Sequence, residues 1–363
     1  LFIMSYSMVL GDVAYLKNME FEWIVLDEAQ NIKNVSAQRT SAIKKLKSKH
    51  RLALTGTPIE NNLTELWSIF DFLNPGYLGT LNKFKQNYLP AEGEITARLS
   101  LSRMVAPFML RRIKKDVLLE LPDKQEQISW CKLTTLQEKL YLQILDMVHK
   151  KLLPEGKEMP SYIHILAALT KLRQVCNHPH LANGDILPEL EASSKLEQLL
   201  ELVTEATNAG HKVLIFSQFV QMLSIIRKVL EANSLPYCYL DGQTKDRVTP
   251  IKSFETNPEI KLFLISLKAG GTGLNLTAAD TVILYDPWWN PMVENQAIDR
   301  THRIGQTHKV QVFRLITKGT VEEKILQLQQ NKRELFETVI EGGQNVLKAM
   351  TKEDIKKLFS YSE

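Results

Sequence analysis

The sequence repeatedly places a short apolar run directly before polar residues and a helical stretch. Two such runs lie near the start, Trp23 to Leu26 and Arg51 to Leu54. Others follow after residue 210, namely Val213 to Phe216, Tyr237 to Leu240, Lys261 to Ser266, Thr281 to Tyr285 and Val310 to Ile316. Apolar runs alternating with helices are typical of buried parallel strands. The sequence therefore predicts an α/β fold with two parallel sheets.

These runs divide the chain into four segments. Residues 1–121 contain the first group of strands with a helical protrusion, and residues 191–320 contain the second group. Residues 122–190 carry apolar residues at helical spacing, which predicts a linker and a helical insert. Residues 321–363 predict long amphipathic helix. The apolar start, Leu1 to Leu10, is interpreted as a buried strand of a domain that the chain enters part-way.

Composition narrows the classes of function. The chain is 44% hydrophobic and 24% charged, which is ordinary for a globular protein, and its net charge of +4 fits a nucleic-acid partner. Its cysteines (Cys131, Cys176 and Cys238) lie far apart in sequence. Such spacing disfavours a disulfide framework or a zinc knuckle and indicates a reducing intracellular compartment. No stretch approaches the roughly 18 apolar residues of a membrane helix.

Two adjacent carboxylates follow the first apolar run, in the segment Asp27-Glu28-Ala29-Gln30. In a nucleotide-hydrolysing site, one carboxylate can hold Mg²⁺ through its water ligands and the other can orient the attacking water. We assign Asp27 to the magnesium and Glu28 to the water. The alternative is an acidic helix N-terminus that the helix dipole stabilises.

A second polar segment, Thr55-Gly56-Thr57-Pro58, follows the next apolar run. Gly56 permits a tight backbone and Pro58 ends the strand. The two threonine hydroxyls can relay a change in hydrogen bonding between a nucleotide and a partner. The alternative is an ordinary strand-to-helix turn.

A glycine-rich loop, Lys268 to Leu276, follows a later apolar run. Gly270, Gly271 and Gly273 expose backbone N–H groups, which can approach a phosphate of a nucleotide or of DNA. The loop is not a P-loop, because no Gly-Lys-Ser/Thr follows. The alternative is a flexible turn.

A helix is predicted from Asn290 to Gly305, since asparagine is a good N-cap and glycine a natural C-terminal stop. On such a helix Gln296, Arg300 and Arg303 fall at i, i+4 and i+7, within about 60° of one another. Two arginines one turn apart can clamp a phosphate, and arginines can act as fingers on a γ-phosphate.

The neighbours of these residues leave structural alternatives open. Glu294 and Asp299 can pair with the arginines on a solvated basic face. Trp288 and Trp289 precede the predicted helix, and Trp289 can stack on nucleic acid. For an arbitrary tryptophan pair, packing in a core is the more common role.

Taken in chain order, these motifs resemble those of the SWI/SNF-like branch of the superfamily 2 helicases. The resemblance covers essentially the whole chain. The matching segments are Asp27 to Gln30 (motif II), Leu54 to Asn61 (motif III), Leu172 to Pro179 (helical-insert signature), Val213 to Phe219 (motif IV), Lys268 to Leu276 (motif V) and Gln296 to Gln306 (motif VI).

The resemblance implies two RecA-like lobes, with ATP and Mg²⁺ bound in the cleft between them. It implies that residues 321–363 form C-terminal helices that brace the lobes. It also implies a DNA-stimulated motor that moves along double-stranded DNA without separating the strands. Proteins bound to that DNA, such as polymerase or chromatin proteins, would be further partners, and no membrane is involved.

The resemblance also implies a role for each matching residue. Gln296, Gly271, Gly273, Arg300 and Arg303 would contact the nucleotide, the two arginines as fingers. Thr55, Gly56 and Thr57 would couple the nucleotide site to the DNA site. The expected DNA contacts are Lys268, Thr272, Trp289 and Gln218.

The chain departs from the family pattern at its start, because it contains no Gly-Lys-Ser/Thr loop. We therefore expect that loop upstream of Leu1, an incomplete first lobe, and a chain that does not hydrolyse ATP alone. The short spacing from Thr244 to Arg247 resembles bacterial members, which implies a cytoplasmic or nucleoid location; a eukaryotic member would be nuclear. Two rival functions remain open, a non-catalytic DNA-binding protein or pseudo-ATPase, and an RNA helicase.

Overall fold

The computed structural model describes residues 1–56, 63–88, 94–110, 112, 121–151, 162–186, 189–270, 273–331 and 352–361. These residues form two compact units. Unit 1 comprises the described residues up to 112, and unit 2 comprises those from 121 onward. Each unit contains a parallel sheet of its own, as expected for the predicted α/β class.

A parallel pair of strands forms the sheet described in unit 1. Strand β1 (Glu20–Leu26) pairs with β2 (Lys47–Ala53), and their register places Leu26 opposite Ala53. The helices of unit 1 are α1 (Tyr6–Leu16), α2 (Gln38–Lys44), α3 (Leu63–Leu73), α4 (Leu81–Tyr88) and α5 (Glu94–Val105). Short 3₁₀ turns cover Ala29–Ile32 and Ala106–Phe108.

The predicted strand at Leu1 to Leu10 is wrong. Helix α1 begins at Tyr6, and the side chain of Ser5 caps it by accepting a hydrogen bond from the backbone N–H of Met8 at 3.3 Å. Residues Leu1 to Ile3 are exposed. A short apolar run does not distinguish strand from helix, and here the serine cap favours the helix.

Helix α3 joins the two apolar clusters of unit 1. Ile69 and Phe72 pack in the cluster that contains Leu26 of β1, whereas Trp67 and Phe70 pack in a second cluster. The helix is therefore buried on opposite sides, which accounts for its high content of large apolar residues.

Unit 2 is built on a six-stranded, all-parallel sheet with strand order β3-β8-β7-β4-β6-β5. The five strands predicted after residue 210 are all present. The strands are β3 (Lys124–Cys131), β4 (Val213–Ser217), β5 (Tyr237–Leu240), β6 (Leu262–Ser266), β7 (Thr281–Leu284) and β8 (Val310–Thr317).

Strand β3 was missed, because it lies in the segment expected to be a linker and helical insert. It pairs with β8 along its full length, from Lys124 opposite Val310 to Cys131 opposite Thr317. Its first residues are polar and exposed, as suits an edge strand. The sheet of unit 2 thus begins well before residue 191, the expected start of the second lobe.

The helices of unit 2 pack on both faces of its sheet and on one another. They are α6 (Thr135–Lys151), α7 (Tyr162–Asn177), α8 (Pro179–Ala182), α9 (Ser194–Asn208), α10 (Val220–Ala232), α11 (Val248–Thr256), α12 (Leu267–Gly270), α13 (Pro291–Ile298), α14 (Val321–Asn331) and α15 (Lys352–Leu358). A 3₁₀ turn covers Leu190–Ala192.

Alternate residues of the central strands face two separate clusters. In β4, Leu214 and Phe216 pack in a cluster with residues of α11 to α13, whereas Val213 and Ile215 pack in a cluster with α9 and α10. Every residue of β4, β6 and β7 is buried. Burial on both faces explains why these strands are continuous apolar runs.

The C-terminal segment, predicted as long amphipathic helix, contains α14 and α15; residues 332–351 lie outside the described residues. The backbone N–H of Val321 at the start of α14 donates to the hydroxyl of Tyr141 on α6 at 2.8 Å. The insert and the C-terminal helix are thus packed together within unit 2. Among the described residues, no helix combines the length and apolar character needed to cross a membrane.

Candidate nucleotide and nucleic-acid sites

The two polar motifs of unit 1 meet at one end of its sheet. The backbone N–H of Leu54 donates to the carbonyl of Leu26 at 2.8 Å, and the N–H of Ala29 donates to the carbonyl of Leu54 at 2.9 Å. Parallel strands end on the same edge, so these bonds place Asp27 and Glu28 beside Thr55.

A hydrogen-bonded relay of side chains connects the two motifs. The hydroxyl of Thr55 donates to Oε1 of Gln30 at 2.8 Å, and Nε2 of Gln30 donates to Oε2 of Glu28 at 2.6 Å. Gln30 had no assigned role in the sequence interpretation, although it ends the Asp-Glu-Ala-Gln motif. The relay links a hydroxyl on one motif to the carboxylate assigned to the attacking water.

The backbone at Glu28 adopts an unusual conformation. Its φ of 51° and ψ of 53° lie in the left-handed region, which a glutamate enters at a steric cost. The N–H of Glu28 donates to Oδ1 of Asp27 at 2.9 Å, and the hydroxyl of Tyr6 donates to the Asp27 carbonyl at 2.7 Å. Burial, with added repulsion from Asp27 and Glu28, raises the pKa of Tyr6 to about 12, so its hydroxyl stays a donor.

The acidic pair fits a magnesium ion that is held mainly by water and phosphate. Asp27 is exposed, and its carboxylate is free to accept from solvent beyond the bond from Glu28. The described residues contain no cluster of three or more histidine, cysteine or acidic side chains that could hold a metal. Mg²⁺ commonly uses one or two carboxylates and completes its shell with water and phosphate oxygens, so Asp27 suits that arrangement.

Three of the predicted site residues lie outside the described residues, namely Thr57, Gly271 and Thr272. Gly56 is exposed at the end of the second motif.

The glycine-rich loop of unit 2 begins as a helical turn, α12. Lys268 on this turn is exposed, whereas Gly270 is buried. A Cβ atom at Gly270 would lie 2.6 Å from Cε1 of Phe216, so this glycine is required for close packing against β4. Gly273 has a φ of +27° with open space around it, and it remains available for a close approach of phosphate.

The continuous helix predicted from Asn290 to Gly305 is wrong. Helix α13 ends at Ile298, and hydrogen-bonded turns follow, ending near Gly305 with a φ of +100°. Gln296 lies on the helix, but Arg300 and Arg303 follow it. Their spacing therefore does not place them on one helix face with Gln296.

The turns after α13 give the two arginines different environments. Arg300 is 8% exposed, whereas Arg303 is exposed. The carbonyl of Arg300 accepts a hydrogen bond from the N–H of Leu276 at 3.0 Å. The end of the glycine-rich loop and the arginine segment are thus joined directly within unit 2. Asn290 caps α13 as predicted, accepting from the N–H of Met292 at 2.9 Å.

The acidic neighbour of the arginine segment has another partner. Glu294 is fully buried and accepts hydrogen bonds from the guanidinium of Arg314 and, at 2.6 Å, from the N–H of Trp288. Gln329 of α14 donates to the carbonyl of Trp288 and also contacts Glu294. Glu294 therefore fixes the tryptophan segment to β8 and α14.

The predicted DNA-contacting residues Trp289 and Gln218 are both part-buried. The N–H of Gln218 donates to Oδ1 of Asp286 at 3.2 Å, and the ring of Trp289 lies 5.8 Å from the guanidinium carbon of Arg173. Neither residue is wholly in the core. Arg173 belongs to the helical-insert motif, and the sequence pattern by itself indicates no role for it.

Comparison with known proteins places this architecture in one family. Residues 1–181 match the model of the SNF2-related domain, and residues 194–305 match that of the helicase conserved C-terminal domain. The SWI2/SNF2 ATPase core of Sulfolobus solfataricus, solved in complex with dsDNA, is similar with a TM-score of 0.59 and 40% identity, covering 99% of this chain and 76% of that one. The chain belongs to the SWI2/SNF2 family.

Curated relatives are similar over nearly the whole chain. The putative ATP-dependent helicase/translocase YwqA of Bacillus subtilis is 42% identical over 99% of this chain, which covers 40% of YwqA. The human TATA-binding protein-associated factor 172 is 37% identical over 99% of this chain and is covered to 23%. The chain thus spans less than half the length of these relatives.

Proposed function

We propose that this chain belongs to an ATP-driven motor that is stimulated by DNA and moves along double-stranded DNA, in remodelling of protein–DNA complexes, transcription or repair. The observation that carries the proposal is the relay from Thr55 through Gln30 to Glu28. A relay of this kind gives the second motif a direct route to the carboxylate that orients water. The alternative, in which Asp27 and Glu28 only form an acidic helix N-terminus, does not require a hydrogen-bonded connection to Thr55.

In unit 1, Asp27 would hold the magnesium through water, and Glu28 orients the attacking water. When bound, Mg²⁺ neutralises charge on the phosphate oxygens. Thr55, Gly56 and Thr57 couple DNA binding to this chemistry. A change in the Thr55 hydrogen bond rotates Gln30 and so shifts the Glu28 carboxylate, because the three side chains form one chain of hydrogen bonds.

In unit 2, Arg303 and Arg300 stabilise the charge that develops on the γ-phosphate, and Gln296 contacts the nucleotide. Arg303 is the stronger candidate for direct contact, since it is exposed. The nearly buried Arg300 is held by the packing around it, which lowers the entropy lost on contact. Gly271 and Gly273 bring the backbone close to phosphate.

The DNA contacts proposed for unit 2 are Lys268, Thr272, Trp289 and Gln218. Lys268 is an exposed cation beside the glycine-rich loop, as suits a phosphate contact. The dsDNA in the solved Sulfolobus core supports a duplex ligand. Proteins bound to that DNA, including polymerase and chromatin proteins, are the further partners proposed, in an intracellular setting such as the cytoplasm or nucleoid.

Turnover of ATP also needs a loop that holds the nucleotide phosphates. The 363 residues contain no Gly-Lys-Ser/Thr sequence, and we propose that this loop is supplied by residues other than these. The same observation favours a second candidate function for the chain by itself, namely DNA binding without turnover.

Phosphate release by the complete natural protein tests the proposal, measured without nucleic acid, with duplex DNA and with duplex RNA. We expect duplex DNA to stimulate phosphate release. In Arg303→Ala the stimulated rate should fall by about 10³-fold or more, because the variant lacks the proposed arginine finger. Lys309→Ala removes another exposed cation nearby and serves as the matched control. Equal rates without DNA or in Arg303→Ala would contradict the proposal, and a preference for RNA would indicate an RNA helicase.

A further inference from the structure

Arg173 lies on α7, outside every segment assigned to nucleotide or DNA. It is only 3% exposed. Its guanidinium donates a hydrogen bond to the carbonyl of Pro287 and lies 3.9 Å from Oδ1 of Asp286. Asp286 and Pro287 directly follow β7 and lead to the tryptophan segment, so Arg173 holds the backbone that presents Trp289.

The same guanidinium lies over two aromatic rings, each of which precedes a helix. Its carbon is 5.5 Å from the ring centroid of Phe219 and 5.8 Å from that of Trp289. A desolvated guanidinium is attracted to an aromatic face, most strongly to tryptophan. The attraction restrains the Trp289 ring in addition to the bond that restrains its backbone.

Asp286 extends the contact to the end of β4. It is 3% exposed and accepts hydrogen bonds from the hydroxyl of Ser217 and from the N–H of Gln218. The pair Arg173–Asp286 therefore joins α7, the end of β4 and the segment after β7. Both of the part-buried DNA candidates, Gln218 and Trp289, are attached to this pair.

The geometry needs an arginine. A lysine would keep the charge, but its ammonium has no planar face to lie against two rings while it reaches a carbonyl and a carboxylate. The Nε of Arg173 is buried without a hydrogen-bond partner among the described residues. The two rings and the Pro287 carbonyl therefore determine the position of this guanidinium, even though one of its N–H donors has no acceptor there.

We propose that Arg173 is a positioning residue that orients Trp289 for contact with duplex DNA. The proposal rests on the proposed function, since it requires Trp289 to contact DNA. Arg173 itself does not reach the DNA, because it is buried beneath the segment that it holds. Its effect on DNA binding is therefore transmitted through Trp289.

A double-mutant cycle on the full chain tests this, with the dissociation constant for a fluorescent 20-base-pair duplex measured by anisotropy. We expect Arg173→Lys to weaken binding by about 3- to 10-fold, within the range that loss of one stacking contact produces. Trp289→Ala should weaken it at least as much. Because both changes remove the same contact, the double variant should bind no more weakly than Trp289→Ala.

Fluorine NMR of the chain labelled with 5-fluorotryptophan supplies a readout of ring orientation. Trp289→Phe identifies the Trp289 resonance. Arg173→Lys should move that resonance while leaving that of Trp67, in unit 1, unchanged. The variant Arg173→Met with Asp286→Asn removes both charges, so it leaves neither charge buried alone, and it should also move the Trp289 resonance and weaken DNA binding.

Several results would overturn the inference. If the fold-losses of DNA affinity in the two single variants multiply in the double variant, Arg173 acts independently of Trp289. If the Trp289 resonance does not move in Arg173→Lys, Arg173 does not orient the ring. If Trp289→Ala binds DNA like the unmodified chain while Lys268→Ala binds weakly, the inference fails but duplex binding stands. If the unmodified chain does not bind duplex DNA, the proposed DNA site fails as well.

Discussion

The candidate sites of the two units are held by different kinds of contact. In unit 1, Glu28, Gln30 and Thr55 are joined by side-chain hydrogen bonds at the end of two adjacent strands. In unit 2, the tryptophan segment is held by ion pairs, one buried on both sides between Arg173 and Asp286, and one between the part-buried Arg314 and the buried Glu294.

These two kinds of contact differ in how much free energy is needed to break them. A short hydrogen bond near solvent exchanges for water at a net cost of about 1 kcal/mol. Removing one partner of a buried ion pair costs about 3–5 kcal/mol, because the other charge is left uncompensated. The relay of unit 1 can therefore transmit a change in hydrogen bonding, whereas the ion pairs of unit 2 hold the tryptophan segment in one position.

The largest effect is expected at Lys195, whose Nζ lies 2.6 Å from Oε1 of Glu322, with both side chains buried. Lys195→Met should lower the free energy of unfolding of unit 2 by about 3–5 kcal/mol, since it leaves the Glu322 carboxylate buried alone. Urea unfolding followed by circular dichroism measures this. Adding Glu322→Gln to Lys195→Met should recover most of the lost stability. A loss below about 1 kcal/mol in Lys195→Met alone would contradict the expectation that buried ion pairs are costly to break.

The second prediction concerns the pH dependence contributed by Asp286. Burial raises its pKa from 3.8 to about 6, against the opposing effects of Arg173 and Ser217. The folded state therefore holds this proton more tightly than the unfolded state does. The cost of ionising Asp286 is absent below about pH 4, grows as the pH rises, and is complete above about pH 6.

Stability of the unmodified chain should accordingly fall between pH 4 and pH 7 by roughly 2 to 3 kcal/mol from this group, at about 1.4 kcal/mol per pKa unit. Asp286→Asn should remove that component of the slope. Urea unfolding at four pH values, compared between the two chains, gives the difference. Identical slopes would show that Asp286 is not the titrating group.

The third prediction breaks the relay of unit 1. Thr55→Val removes the hydroxyl that donates to Gln30 while keeping the shape of the side chain. We expect a loss of about 1 kcal/mol or less in the unfolding of unit 1, with a much larger loss of DNA stimulation of ATP hydrolysis in the complete protein. Thr55→Ser keeps the hydroxyl and should retain stimulation. A stimulated rate unchanged in Thr55→Val would remove the relay from the mechanism.

The smallest effect is expected for an exposed ion pair of unit 1. The Nζ of Lys49 lies 2.9 Å from Oε2 of Glu22, and both side chains are more than half exposed. Lys49→Met should change the unfolding free energy by less than about 0.5 kcal/mol, because solvent and salt screen the pair. A loss comparable to that of Lys195→Met would show that exposure does not separate the two classes of contact.

The sequence predicted the buried strands of unit 2 well, because strands covered on both faces are continuous apolar runs. It did not predict β3, because the first residues of this edge strand are polar and exposed. It predicted a strand in place of α1, because the Ser5 cap was not recognised in the sequence. The end of α13 at Ile298 was also missed, because a glycine stop at residue 305 is compatible with either helix or turns before it.

The site residues were predictable as motifs, but their contacts were not. Asp27, Glu28 and Thr55 could be placed at one edge of a sheet, since parallel strands end together. The partners Arg173 and Asp286 are separated by more than a hundred residues, and only the folded structure brings them to the same point. Local sequence patterns carry no signal for such a pair.

The most direct test of the central claim measures phosphate release by the complete protein at saturating duplex DNA, with ATP binding measured in parallel. Glu28→Gln in unit 1 and Arg303→Ala in unit 2 are compared with the unmodified protein. We predict that both variants bind ATP but release phosphate more slowly, Glu28→Gln by at least about 100-fold and Arg303→Ala by about 10³-fold or more, because each lacks a group that acts in the transition state. A rate near that of the unmodified protein in either variant would contradict the assignment of these residues to one ATP-hydrolysing motor.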